Sequence, residues 1–130
     1  MSETINVAVL GLGRIGQQFA AGLSKHIDAG DKSVQIVAVA ERDPDSLAAQ
    51  MFADENVPVY SKASDVLDIG DQIDIIFDLT GSSDVRQTLR DRLQETDNHR
   101  TIVVPEIFAR LVWSLLEENV ELSSLQEGGY

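Results

Sequence analysis

The run Val7-Ala8-Val9-Leu10-Gly11-Leu12-Gly13-Arg14-Ile15-Gly16 joins an apolar stretch to a G-x-G-x-x-G turn, and helical spacing follows at once. Each glycine has its own physical reason. Gly11 permits a tight exit from a strand, Gly13 has no Cβ to hold a phosphate off the backbone, and Gly16 lets the new helix lie close to the strand. Amides at the helix start then face outward with the positive end of the helix dipole behind them, which suits an anion. A second chemical group is Glu41, where the next apolar run ends. Its carboxylate can accept the two hydroxyls of a ribose, at roughly 1.5–3 kcal/mol for each charge-assisted bond. A strand before the turn, a helix after it and an acid closing the second strand together describe a dinucleotide site.

Glu41 also bears on which dinucleotide. A carboxylate about 4 Å from a 2′-phosphate costs about 4 kcal/mol per unit charge at an effective dielectric near 20. NAD(H) is therefore expected, and NADP fits only if Arg42 serves as the compensating base. Arg14 has two readings, one over the pyrophosphate and one as a solvated residue at the helix start.

These groups need elements to hold them. Ile5 to Leu10 reads as a first strand, nearly continuous in apolar character, as a strand covered on both faces requires. The helix from Arg14 to about Asp28 carries Ile15, Phe19, Leu23 and Ile27 at steps of four. His26, at the border of that stripe, reads as a partly exposed structural histidine. Val34 to Ala40 is the second strand. Asp43 then reads as an N-cap with Pro44 at the first helical position, opening a helix to about Asp54 with Leu47, Met51 and Phe52 inward. Val57 to Tyr60 is a short third strand whose proline suits an edge. Ser64 caps a brief helix that fades near Gly70. Ile73 to Leu79 is the fourth strand, Ser82 or Ser83 caps a helix through Val85, Leu89 and Leu93, and Thr101 to Val104 is the fifth strand. Pro105-Glu106 opens a last helix over 107–116, broad in its apolar face, and the tail 119–130 reads as frayed.

Apolar runs alternating with amphipathic helices specify an α/β fold, a doubly wound parallel sheet of order 3-2-1-4-5 with helices on both faces. One domain, 1–118, is expected. In such a sheet the ligand lies beyond the carboxyl ends of strands one and four. Four loops meet there: Gly11 to Gly16 with Leu12 between them, Glu41 to Asp43, Thr80-Gly81-Ser82-Ser83, and Pro105-Glu106.

The chain has 130 residues, 43% of them hydrophobic and 25% charged, as soluble globular domains do. Its 22 acids against 10 bases give a formal charge of −12. That field repels phosphodiester backbones and anionic lipid, so nucleic acid and membrane partners are not expected. Solubility or adaptation to a salty cytoplasm would each explain the acidity. With no cysteine there is neither disulfide nor thiolate chemistry, and a cytoplasmic location is expected. No metal-ligand spacing occurs.

The combination of GLGRIG, VAVAERDP and DIIFDLTG resembles the N-terminal nucleotide-binding domain of homoserine dehydrogenase and its relatives, including aspartate dehydrogenase and the glucose-fructose oxidoreductase group, over roughly Ile5 to Val104. The resemblance implies that Gly11, Gly13, Ile15 and Gly16 line the pyrophosphate, Glu41 the adenosine ribose, and Thr80-Gly81 the nicotinamide side. One departure stands out. The sugar oxidoreductases carry a catalytic lysine in a Glu-Lys-Pro at the end of strand five, where this chain has Val103-Val104-Pro105-Glu106. Asp78, within strand four, and Glu106, at a helix start, read as a structural hydrogen bond and a dipole partner in preference to a catalytic base, and His99 falls at the opposite end of the sheet. No catalytic residue is assigned.

Three functions fit: a nucleotide- or redox-sensing module without its own catalytic domain, the cofactor-carrying part of a dehydrogenase completed elsewhere, and a potassium-channel regulatory domain. The broad apolar face of the last helix is expected to meet a partner, by default a second copy.

Overall fold

The computed structural model describes residues 4–28 and 33–115. Five parallel strands, β1 (Ile5–Leu10), β2 (Val34–Ala40), β3 (Val59–Tyr60), β4 (Ile75–Asp78) and β5 (Ile102–Pro105), form one sheet in the order β3-β2-β1-β4-β5. Their register fixes where function can sit. Leu10 lies beside Ala40 and Asp78, Ala40 beside Tyr60, and Asp78 beside Pro105, so all five strands finish on one line. Every loop leaving that line enters the same space.

Successive residues of the strands feed two cores. Val7, Val9, Val39 and Phe77 meet α1 (Arg14–Asp28), α2 (Leu47–Asp54) and a last helix α4 (106–115) on one face. Ala8, Leu10, Ala38 and Ile76 meet a 3-10 helical segment (Ala63–Gln72) and α3 (Ser83–Glu95) on the other. This double cover is why β1 and β2 are apolar apart from Asn6 and Gln35 near their starts. Phe19 stacks at a tilt on Phe77, ring centroids 4.7 Å apart, and Phe77 in turn meets Phe108 of α4. Burying a side chain such as Phe19 stabilises by about 1.5–3 kcal/mol. On α1 the stripe is as expected, with Phe19 and Leu23 buried and Ile15 and Ile27 half-buried, while His26 is exposed. Helices α1 and α4 touch closely, because a Cβ on Gly22 would lie 2.0 Å from the ring of Trp113.

Several short elements differ from expectation. Helix α2 starts at Leu47, capped by Ser46, whose Oγ accepts from Ala49 N at 3.2 Å. Asp43 instead accepts the Asp45 amide on Oδ1, and its carbonyl accepts from Ser46 N. Pro44 and Asp45 are thus the corner of a turn, a place proline fills as readily as a helix start. Leu47 and Met51 face solvent, at 76% and 56% exposure, and Ala49 and Phe52 fill the buried stripe. Strand β3 is only Val59–Tyr60, because Pro58 has no N–H to extend the ladder. The segment after it begins at Ala63 without a side-chain cap, so Ser64 is not its cap, and it runs to Gln72 with a bend at Ile69. Strand β4 starts at Ile75, since Asp74 uses its side chain on the Asn6 amide. Pro105 closes β5 before the helix begins. Of the expected last helix, Leu116 lies outside the described residues, as does the tail 119–130.

Candidate functional site

The glycine turn is built by contacts that only glycine allows at two of its three positions. Gly11 has φ +91°, donates its N–H to Ala40 O at 2.9 Å, and would press a Cβ to 3.0 Å from Leu79 O. Gly16 would put a Cβ 1.9 Å from Gly11 O. Gly13 is different. It has no positive φ, and nothing of the protein lies within 4 Å of where its Cβ would be. The fold makes no demand for glycine there.

The first backbone bond of α1 runs from Gln17 N to Gly13 O at 2.8 Å. The amides of Arg14, Ile15 and Gly16 precede it and have no carbonyl one turn back. Ser46 and Ser82 cap α2 and α3, whereas the residue before α1 is Gly13, without a side chain. Its first turn also lacks an acid. Residues present thus fit a diphosphate: open space at Gly13, unspent amides beside it, and the positive end of the dipole.

Across the turn stands Glu41, half-buried, its own N–H bonded to Tyr60 O at 2.8 Å. Its Oε1 accepts from Leu12 N at 3.3 Å and its Oε2 from Asp43 N at 3.1 Å. Leu12 itself is buried in the core at 3% exposure, which anchors the turn. On the other side, Asp78 Oδ1 accepts from Thr80 N and, at 2.6 Å, from Thr80 Oγ1. Thr80 Oγ1 accepts from Ser82 N, and Ser82 Oγ from Val85 N. Gly81 turns this loop at φ +68°. Asp78 is 3% exposed, and its Oδ2 has no hydrogen-bond partner.

These loops enclose a crevice of about 850 Å³. Of the residues expected from sequence, Gly11, Leu12, Gly13, Glu41, Arg42, Thr80 and Ser82 line it. Arg14 is exposed at the helix start. Ile15 turns its side chain into the groove between α1 and α4, beside Phe19 and Trp113, leaving only its amide at the turn. Gly16 is buried under Gly11, and Gly81 lies beyond the lining. Sequence reasoning missed Ser61, Lys62 and Ser64, which follow β3, and Asp84, Val85 and Thr88 on α3. The strand order held the signal for the first three, because β3 is the neighbour of β2 and its loop must lie beside Glu41 and Arg42. A smaller hollow of about 510 Å³ follows the β2–β3 edge past Gln35 and Val37 and shares no residue with the glycine turn.

His99 is at the amino end of β5, 2.7 Å from Asp97. Glu106 pairs with Arg110 at 3.2 Å within α4. Among the described residues no group of three potential metal ligands comes together.

A parallel sheet wound in both directions from β1, with a glycine turn at the reversal and an acid across from it, defines the doubly wound nucleotide-binding class. Within that class, the family model for the homoserine dehydrogenase NAD-binding domain matches residues 11–105, and the chain belongs to that family. A search of curated protein sequences gives no match. Solved structures of similar fold include homoserine dehydrogenase from S. aureus at pH 7.0, at 20% identity and TM-score 0.57, and the same enzyme at pH 8.5, at 19% and 0.59. Each covers 92% of this chain, and the chain spans 31% of each of those proteins.

Proposed function

We propose that the chain is an NAD(H)-binding module that senses nucleotide or redox state in a regulatory role. The observation that carries the binding reading is Gly13, a glycine with open space where its Cβ would be, in a crevice whose lining it shares with Glu41. The amides of residues 13–16 hold the diphosphate, Glu41 accepts the adenosine ribose hydroxyls, and the Thr80–Ser82 turn flanks the nicotinamide. Arg14 adds charge at the diphosphate. Bound there, the nicotinamide would supply or accept a hydride. What supports a regulatory role is the tip of β5, where Val103-Val104-Pro105-Glu106 stands in place of the lysine-bearing Glu-Lys-Pro of the sugar oxidoreductases. Membership in a dehydrogenase family favours this reading over a channel regulator. It equally suits the cofactor-carrying part of an oxidoreductase completed by another domain or chain.

A second cofactor reading has its own support. Arg42 and Lys62 both line the crevice near Glu41, and together they could neutralise a 2′-phosphate. The outward face of α4, with Ile107, Leu111 and Leu115 all more than half exposed, is where we place a partner, by default a second copy in the cytoplasm.

Calorimetry with NADH, NADPH, ATP and coenzyme A tests the reading. NADH is expected to bind most tightly. ATP preference would restore the channel regulator, and turnover of homoserine or aspartate with NAD by this chain alone would overturn the regulatory role.

A further inference from the structure

One side chain beside the crevice has no direct part in the proposed ligand contacts. Gln17 lies on the first turn of α1, and its Nε2 donates to Leu12 O at 3.0 Å. Its backbone N–H donates to Gly13 O, so the residue is fixed to the glycine turn at two points. The two peptide groups that flank the Leu12 α-carbon are thereby each held: Gln17 takes the Leu12 carbonyl, and Glu41 Oε1 takes the Leu12 N–H. The buried Leu12 side chain fixes the α-carbon between them, so the direction of the N–H depends on the backbone dihedrals that the Gln17 bond restrains.

The consequence falls on Glu41. Its two oxygens accept one backbone N–H each, from Leu12 and from Asp43, which leaves each oxygen further acceptor capacity. The carboxylate is locked in one orientation before any ligand arrives. A diol, with two O–H donors, meets acceptors already aimed, so little ordering is needed on binding. A 2′-phosphate brings charge and no donor, and the carboxylate cannot turn away without breaking two hydrogen bonds.

The geometry points to Gln17 as a positioning residue for cofactor selectivity, acting through the Leu12 backbone on Glu41. This inference rests on the NAD(H) reading of the crevice. Gln17 itself is exposed and lies outside the crevice lining, so it reaches the ligand only through that relay. Gln17→Met keeps the length and the helix preference while removing the donor.

The experiment is calorimetric titration of wild type and Gln17→Met with NADH and NADPH, alongside amide exchange at Leu12 in the ligand-free proteins. Wild type is expected to favour NADH. In the variant NADH should weaken roughly fivefold, the factor one neutral hydrogen bond carries, while NADPH changes less than roughly twofold. The Leu12 amide should exchange faster. Equal weakening of both cofactors, or an unchanged ratio, overturns the inference and leaves the NAD(H) reading in place. Leu12 exchange that does not change overturns it too. Wild type that binds neither dinucleotide overturns the reading and this inference with it.

Discussion

Gly13 and Gly16 belong to one turn but answer to different demands, and substitution separates them. Gly13→Ala should leave unfolding within about 1 kcal/mol of wild type, because its methyl enters open space, while NADH binding falls at least tenfold. Gly16→Ala should destabilise by about 1–3 kcal/mol, since its methyl meets the Gly11 carbonyl. Chemical denaturation and calorimetry on the two variants check both. At this scale much of the site was legible. The glycine pattern and Glu41 follow from spacing alone, because a turn and an acid at a strand tip are local facts. Lys62 and Ser64 are not local facts: they reach the crevice only because β3 pairs with β2, which no window of sequence contains. Ile15 was misleading for a related reason, as the same position presents its amide to the turn and its side chain to Trp113.

Among the elements, the long ones were readable and the short ones were not. β1, α1 and β2 match their expected bounds because each has enough periodic residues to outvote local ambiguity. At α2, Asp43-Pro44-Asp45-Ser46 contains two competing caps, and the turn around Pro44 decides for the second. The amino end of the sheet shows how the strands are held in line. Asp74 accepts from the Asn6 amide of β1 at 2.8 Å and pairs with Arg100, whose Nη1 also donates to Asp71 O. The Asn6 amide first, and then the Arg100 guanidinium, hold the Asp74 carboxyl below its ordinary value of 3.8. A carboxyl lowered in this way stabilises the fold above that ordinary value and ceases to do so as pH falls through it and on towards the lowered one. Asp74→Asn should therefore cost about 1 kcal/mol at neutral pH, and the difference from wild type should shrink below pH 3.8. Urea midpoints measured across the acid range would show it.

For the whole molecule the proposal to test is that a second copy packs on α4. Helix α4 is apolar on two faces: Ala109, Val112 and Trp113 pack inward, while Ile107, Leu111 and Leu115 point away. With a formal charge of −12 on each copy, self-association should be weak at low salt and strengthen as salt screens the repulsion. Light scattering should show dimers in about 0.5 M salt, and Leu111→Glu should leave monomers at every salt concentration. A wild-type chain that stays monomeric throughout would assign that face to a different protein or domain.

Trp113 is the chain's one tryptophan, and its ring presses on Gly22 midway along the helix whose start forms the proposed phosphate cradle. That placement builds an optical reporter into the protein. Indole emission senses whether the final helix is seated, and reduced nicotinamide absorbs in the range where indole emits. A single fluorescence titration can thus follow ligand capture and any loosening of the closing helix together, with no label attached.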